Sequence, residues 1–221
     1  NMIGDKGFSP LALAAAAQPA LVPVLIKAGA DVSNIPPGAK TTPLIEAISA
    51  NNINSVKFLI EHGANPNASG MHRDTPMIAA VRASSSVDFM KALLEAGADP
   101  NKYSADGITA WHSVCSFCRV EQMQLLLDSK KVDVFSKTKD GHNALYFAIQ
   151  YNLRCVPIIE ILLAAGLDPL EKDNSGDTPY DRAHRMDNAV VCGLFEKKLK
   201  EKGISYKPKG SFWRGGWGPY K

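Results

Sequence analysis

The stretch TPLIEAI, residues 42–48, decides how this chain is read, because it returns five times. SPLALAA begins at Ser9, TPMIAAV at Thr75, TAWHSVC at Thr109, NALYFAI at Asn143 and TPYDRAH at Thr178. Successive starts are 33, 33, 34, 34 and 35 residues apart. A second column keeps the same period: LIKAGAD ends at Asp31, LIEHGAN at Asn65, LLEAGAD at Asp99, LLDSKKVD at Asp133 and LLAAGLD at Asp168. A fixed period of this length signals short supersecondary modules that cannot bury their apolar faces alone and stack into one continuous core.

Each column has a physical reading. Thr or Ser at the head of the motif caps a helix by offering a side-chain oxygen to free backbone N–H groups. Pro10, Pro43, Pro76 and Pro179 then occupy the first helical position, where a missing N–H costs nothing. Small residues follow at Ala14, Ala47, Ala80, Ala148 and Ala183, with Val114 the exception, so neighbouring helices can approach closely. A second helix carries the pairs Leu25-Ile26, Leu59-Ile60, Leu93-Leu94, Leu126-Leu127 and Leu162-Leu163. Val22, Val56, Met90, Met123 and Ile159 precede them by three residues, which completes a helical apolar stripe. Gly29, Gly63, Gly97 and Gly166 end that helix, where a left-handed residue is needed. Asp106-Gly107, Asp140-Gly141 and Ser175-Gly176 supply the tight turns that follow.

The two columns together resemble the ankyrin repeat, whose units start T-P-L-H-x-A with a period near 33 residues. The resemblance covers roughly residues 5 to 203. It implies an all-α ankyrin-repeat solenoid of helix-turn-helix units with β-hairpin-like turns. Residues 1–203 form the repeat domain, with units starting near 5, 38, 71, 105, 139 and 174, and residues 204–221 form a C-terminal tail.

Departures from the pattern fall at turns. Lys130-Lys131 replaces the helix-ending Gly of the fourth unit and Arg73 replaces a turn Gly in the third, so both turns are expected to be altered locally. The Pro36-Pro37 turn is longer by one residue and should be stiff. The last unit ends in EKKLKEKG, the polar outer face expected of a cap. The first unit is the reverse. LALAAAA and ALVPVLI are almost wholly apolar, so either an earlier repeat or a partner is expected to cover this end, and the partner is preferred.

Composition sets outer bounds. With 45% apolar and 21% charged residues the 221-residue chain reads as globular, not disordered. A net charge of +3 does not by itself argue for nucleic acid or an acidic membrane. Cys115, Cys118, Cys155 and Cys192 are too sparse for a disulfide framework and read as reduced thiols. The apolar stretch from Leu11 to Ile26 holds two prolines and is too short to span a bilayer. An intracellular, cytoplasmic location follows, or an organelle matrix if a leader was removed ahead of Asn1.

The tail ISYKPKGSFWRGGWGPYK differs in kind. It carries Tyr206, Phe212, Trp213, Trp217 and Tyr220 among Lys207, Lys209, Arg214 and Lys221, and holds no acid. Gly and Pro preclude a helix. Such aromatic density suits an interface. The preferred expectation is an extended arm docking on a partner. Folding back onto the repeats is the competing one, and single-stranded nucleic acid stacking on the rings is the weakest.

Chemical motifs are few. His112, Cys115 and Cys118 form an H-x-x-C-x-x-C run with zinc-like spacing. In the repeat register, however, His112 falls where the ankyrin family often has a hydrogen-bonding His, and the cysteines fall in or just after the same helix. No metal and no cofactor is expected. Asn67 and Asn101 resemble a position at which some ankyrin proteins are hydroxylated, although Asn suits a turn on its own account. The carboxylates recur with the structural period, and neither a nucleophile elbow nor a phosphate-binding glycine loop is found. The chain is therefore read as no enzyme.

The expected partners are one or more proteins. The family's concave face is made by first helices and turn tips. In the first helices the position before the small residue reads Leu13, Glu46, Ala79, Ser113, Phe147 and Arg182. Tyr103, Phe135 and Phe147 are the candidate anchors, with Met71, Arg73, Lys137 and Lys139 beside them and Tyr206, Phe212, Trp213, Arg214, Trp217 and Tyr220 in the tail. The expected function is that of a non-catalytic adaptor or scaffold. The alternative is a permanent accessory subunit of a large assembly, with the tail on a neighbour.

Overall fold

The computed structural model describes residues 8–33, 41–70, 74–83, 86–150 and 155–209, of which the side chain of residue 150 is left aside. Among the described residues there are twelve α-helices and one 3₁₀ turn, and no strand. The chain divides into two compact units, one of residues 1–114 with 119–133, the other of residues 115–118 with 134–221.

The first unit is built from helix pairs: α1 (Pro10–Ala17) with α2 (Val22–Lys27), α3 (Pro43–Ser49) with α4 (Ile53–Glu61), α5 (Pro76–Ala83) with α6 (Asp88–Glu95), and α7 (Ala110–Ser116) with α8 (Val120–Asp128). The last two residues of α7 belong to the second unit. The caps form as the motif requires. Ser9 Oγ accepts from Ala12 N at 3.1 Å, Thr42 Oγ1 from Ile45 N at 3.0 Å and Thr75 Oγ1 from Ile78 N at 3.2 Å. First helices pack on first helices, α1 on α3 and α3 on α5, while α4 packs on α6. The small residues Ala14, Ala47 and Ala80 are buried where those helices meet, above a core of Leu44, Ile48, Leu59, Met77, Met90 and Leu93.

The second unit repeats the plan with α9 (Ala144–Gln150), α10 (Val156–Ala164), α11 (Pro179–Arg185) and α12 (Ala189–Glu201). Here α9 packs on α11 and α10 on α12. Val191, Phe195 and Leu199 give α12 its buried stripe, Glu196 accepts from the Tyr180 hydroxyl at 2.8 Å, and Lys197, Lys200 and Glu201 are exposed.

The helix ends explain why the period tolerates 33 to 35 residues. Gly29, Gly63, Gly97 and Gly166 take φ between +86° and +99°. In the fourth repeat Lys130 takes the left-handed conformation itself, at φ +54°. The altered turn expected there is thus a small change: one added residue is absorbed, and the carbonyl of Lys131 serves as that of Gly97 does one repeat earlier. The Arg73 turn and the Pro36-Pro37 turn lie outside the described residues. The hairpin-like turns close by paired backbone bonds without forming strands: Ser104 N donates to Ile108 O, Thr138 N to His142 O and Asp173 N to Asp177 O.

One expectation about the cysteines is corrected. Cys118 and Cys155 are joined by a disulfide, with Cα atoms 5.4 Å apart. Cys118 sits left-handed in the turn after α7, and Cys155 is the buried residue capping α10. Repeat geometry brings two distant cysteines together, a pairing that spacing along the chain does not reveal. Cys115 remains a buried thiol, its pKa raised by that burial.

Candidate functional site

The loop rows that project from the helices are fixed by side chains that reach from one repeat to the next. Asn67 Nδ2 donates to Gly97 O at 3.0 Å, and its Oδ1 accepts from Asp99 N at 2.8 Å. Asn101 repeats the clamp one module on, donating to Lys131 O and accepting from Asp133 N, both at 2.7 Å. Ser33 makes a shorter version, donating from its hydroxyl to Gly63 O at 2.7 Å. Each of these residues is itself held by an Asx turn, from Asp31, Asn65 or Asp99 two residues before it. Asn67 and Asn101 therefore have a structural role that uses both ends of the amide.

Phe135 stands at the same register and cannot make such a clamp. Its ring tip instead lies against Gly166, 3.9 Å from where a Cβ would be. It remains 58% exposed, and Tyr103, in the first unit, is 57% exposed. Both candidate anchors are therefore open to solvent at loop tips. Lys137 pairs with Glu171 at 2.6 Å, and Glu171 also accepts from Asn143 Nδ2 at 2.8 Å. Burial pushes the Glu171 carboxyl up, but these two bonds and the Lys137 charge hold it below the usual range. Lys139 is exposed, while its carbonyl accepts from Asn174 Nδ2 at 2.8 Å. At the neighbouring turn a Cβ on Gly141 would stand 2.7 Å from Asn174 Oδ1, so the close approach of these two turns requires glycine there.

Phe147 is a correction. Expected as an exposed anchor, it is 7% exposed. Its ring lies edge-on to Tyr146, with centroids 5.7 Å apart, and to His142 at 6.4 Å. The neighbouring rings close over it and make it core. Tyr146 lies flat between two groups: His142 stacks on it with centroids 3.5 Å apart, and the Arg182 guanidinium carbon sits 4.1 Å from the centre of its ring.

Tyr206 is the second correction. The extended arm expected for the tail does not hold for residues 204–209, which fold back on α11. Tyr206 OH donates to both carboxylate oxygens of Asp181 at 3.0 Å, Lys209 N donates to Asp181 Oδ1 at 2.6 Å, and Lys209 Nζ reaches Gly176 O. Asp181 is fully buried and closes a capping box with Thr178. Burial alone would raise its pKa, but the bonds from Lys209, Thr178 and Tyr206 outweigh it and hold the carboxyl below the usual range. A buried carboxylate needs several donors. The tail supplies two of them. The Thr-x-x-Asp spacing at 178–181 is the sequence signal for the box, and the reading of the sequence passed over it. Met71, Arg73, Phe212, Trp213, Arg214, Trp217 and Tyr220 lie outside the described residues.

The H-x-x-C-x-x-C run resolves into two separate functions. His112 is buried, and its Nδ1 accepts from Thr109 N at 3.1 Å, which fixes the start of α7. The sulfur of Cys118 is bonded to Cys155. Among the described residues no three His, Cys, Asp or Glu side chains converge as a metal site would need. Two shallow grooves lie between neighbouring outer helices, one lined by Lys57, Ile60, Glu61 and Glu95, the other by Glu160, Leu194, Lys197 and Glu201. Among the described residues no helix is long and apolar enough to cross a membrane.

Repeated helix pairs, capped by Thr or Ser and bound loop to loop, define a class built for recognition. The family model for ankyrin repeats (3 copies) matches residues 11–104 and again 77–173, and the chain belongs to the ankyrin-repeat family. A putative ankyrin repeat protein of Acanthamoeba polyphaga mimivirus is 34% identical over 90 residues, which is 38% of this chain and 12% of that protein. A Homo sapiens transient receptor potential cation channel, subfamily A member 1, is 39% identical over 142 residues, 64% of this chain and 10% of the channel. A putative ankyrin repeat protein of Fowlpox virus is 36% identical over 129 residues, 58% of this chain and 28% of its own length. The chain thus spans less than a third of each of these relatives. Ankyrin repeats are generally protein–protein interaction modules and are typically non-catalytic.

Proposed function

We propose that this chain is a non-catalytic adaptor or scaffold that holds a protein partner on its loop tips and first helices. The observation that carries this reading is the clamping of successive loops by Asn67 and Asn101. Rigid loops present side chains in fixed positions, which lowers the ordering cost of binding. Tyr103 and Phe135 are large, ring-bearing and exposed on such loops, as anchor residues are. Lys137 and Lys139 flank Phe135 as a polar rim. Met71 and Arg73, and Phe212, Trp213, Arg214, Trp217 and Tyr220 of the tail, complete the proposed contact set. We place the repeat domain at residues 1–203, closed by the returning residues 204–209, and treat 210–221 as a distinct interaction segment, with an intracellular location.

Affinity purification of the full chain with its bound partners, followed by cross-linking, tests this. Partner recovery should fall for Tyr103→Ala and Phe135→Ala without change in fold. A chain that recovers no partner defeats the proposal, and so does one whose cross-links avoid both loops. The accessory-subunit reading draws support from the first repeat, where Leu13 is 51% and Val24 58% exposed among apolar neighbours. An isolated chain that stays monodisperse at high concentration counts against it.

A further inference from the structure

The face of the second unit formed by α9 and α11 carries a cation set apart from its neighbours. Around it Lys137 pairs with Glu171 and Arg185 with Asp177, His142 Nε2 lies 3.3 Å from Asp173 Oδ2, and Lys139 and Lys172 are exposed in the turns before α9 and α11. The nearest carboxylate in sequence, Asp181, is committed to Thr178, Tyr206 and Lys209. Arg182 makes no ion pair among the described residues. It is half-buried, its guanidinium lies over Tyr146, and its Nε is buried without an acceptor.

A guanidinium held this way differs from a surface lysine. Contact with the ring of Tyr146, which is itself backed by His142, removes much of the freedom a ligand would otherwise have to restrain. A flat, oriented fork of N–H donors matches a carboxylate in two-point geometry. Water and a ring face leave its charge uncompensated. We infer that Arg182 on Tyr146 is a receptor for one carboxylate of a protein partner, an Asp or Glu side chain or a C-terminus. This rests on the interaction-module reading and gives it a partner chemistry. One guanidinium held against a ring suits a single carboxylate. A phosphate backbone would also engage Lys139 and Lys172, exposed in the turns before α9 and α11 and without an ion pair among the described residues, so the oligonucleotide arm of the test separates the two.

The test uses the full chain and fluorescence anisotropy of a labelled, C-terminally amidated decapeptide alternating Glu and Gly, with the amidated Gln-for-Glu peptide as control and its free-acid form to separate a C-terminus from a side chain. At low salt the acidic peptide should bind and the control should not. Arg182→Gln should weaken binding about tenfold or more, Arg182→Lys should recover only part of it, and Lys197→Gln, an equal loss of charge on α12, should leave it unchanged. A thermal melt verifies that each variant is folded. No binding of the acidic peptide, equal binding by Arg182→Gln and Lys197→Gln, or an Arg182-dependent preference for a single-stranded oligonucleotide overturns the inference. Recovery of native partners by Arg182→Gln then separates the two claims: if partners stay bound, the module reading survives and this inference alone falls.

Discussion

Tyr206 points its hydroxyl at both carboxylate oxygens of Asp181, 3.0 Å from each. In the repeat register Asp181 stands where His112 stands in the fourth unit. His112 meets Thr109 within its own turn, whereas Asp181 needs more donors than Thr178 alone provides. The segment after α12 turns back to supply them, so residues 204–209 finish the last repeat.

This arrangement makes stability depend on acid in a stated direction. The Asp181 carboxyl is held below the usual range by its donors, against the burial that would raise it. A carboxyl depressed in the folded state adds stability that is present above its unfolded value, near 4, and is lost as pH falls through the folded value. Urea midpoints should therefore hold from neutrality to about pH 5 and decline below pH 4. Asp181→Asn should remove that share of the decline and cost about 2 kcal/mol at neutral pH, because an amide N–H then faces donors. Tyr206→Phe should cost about 1 kcal/mol. Equal acid profiles for wild type and Asp181→Asn would refute the assignment.

The asparagine clamps predict a graded loss. Asn67→Ala and Asn101→Ala each remove one donated and one accepted bond to the next repeat. These loops are exposed, so each substitution should cost about 1–2 kcal/mol. Amide exchange should quicken at Asp99 for the first variant and at Asp133 for the second. Since the two sites are separate clamps, the double variant should lose close to the sum. Unchanged exchange at both amides would show the clamps to be incidental.

How much of this was legible in the sequence depends on whether a residue acts within its own module. Thr42, Pro43 and Ala47 work inside one helix or against the same position next door, so a column of text carries their meaning. The helices fell where the motif put them. Tyr206 and the Cys118–Cys155 pair depend on what arrives from another segment, and Phe147 on a pair of rings of its own repeat that the other repeats lack. Phe147 shares the alignment column of half-exposed Arg182, yet the rings of Tyr146 and His142 bury it. Tyr206 read as an interface aromatic because nothing local told of an unmet carboxylate at Asp181. Lys130 shows the converse: a missing glycine looked disruptive, although one left-handed lysine absorbs the change.

The disulfide between Cys118 and Cys155 closes a loop of 37 residues. A cross-link of that span restricts the unfolded chain by up to about 3–4 kcal/mol. The oxidised full chain should therefore unfold at higher denaturant than the reduced chain, and Cys118→Ser with Cys155→Ser should match the reduced form in either condition. Alkylation with mass spectrometry should find Cys115 and Cys192 free and the other two blocked until a dithiol is added. Four free thiols in chain purified without reductant would contradict the pairing.

Phe135 separates binding from folding in one residue. It occupies the register of Asn67 and Asn101, yet it offers the next repeat a ring edge at Gly166 in place of an amide. Replacing a largely exposed ring should disturb the core little, so Phe135→Ala should change stability by about 1 kcal/mol or less. Phe135→Asn restores the side chain that clamps the earlier repeats, and its amide can reach toward Gly166 O and Asp168 N. It should be neutral or stabilising by up to about 1 kcal/mol. Both variants should lose affinity for a captured partner by at least about tenfold, the cost of truncating an aromatic anchor. A stabilised Phe135→Asn chain that has lost its partner would show that this repeat gives up a clamp to present a ring. If Phe135→Asn keeps full affinity, the ring is no anchor; if it unfolds, the loop does not follow the geometry of its neighbours.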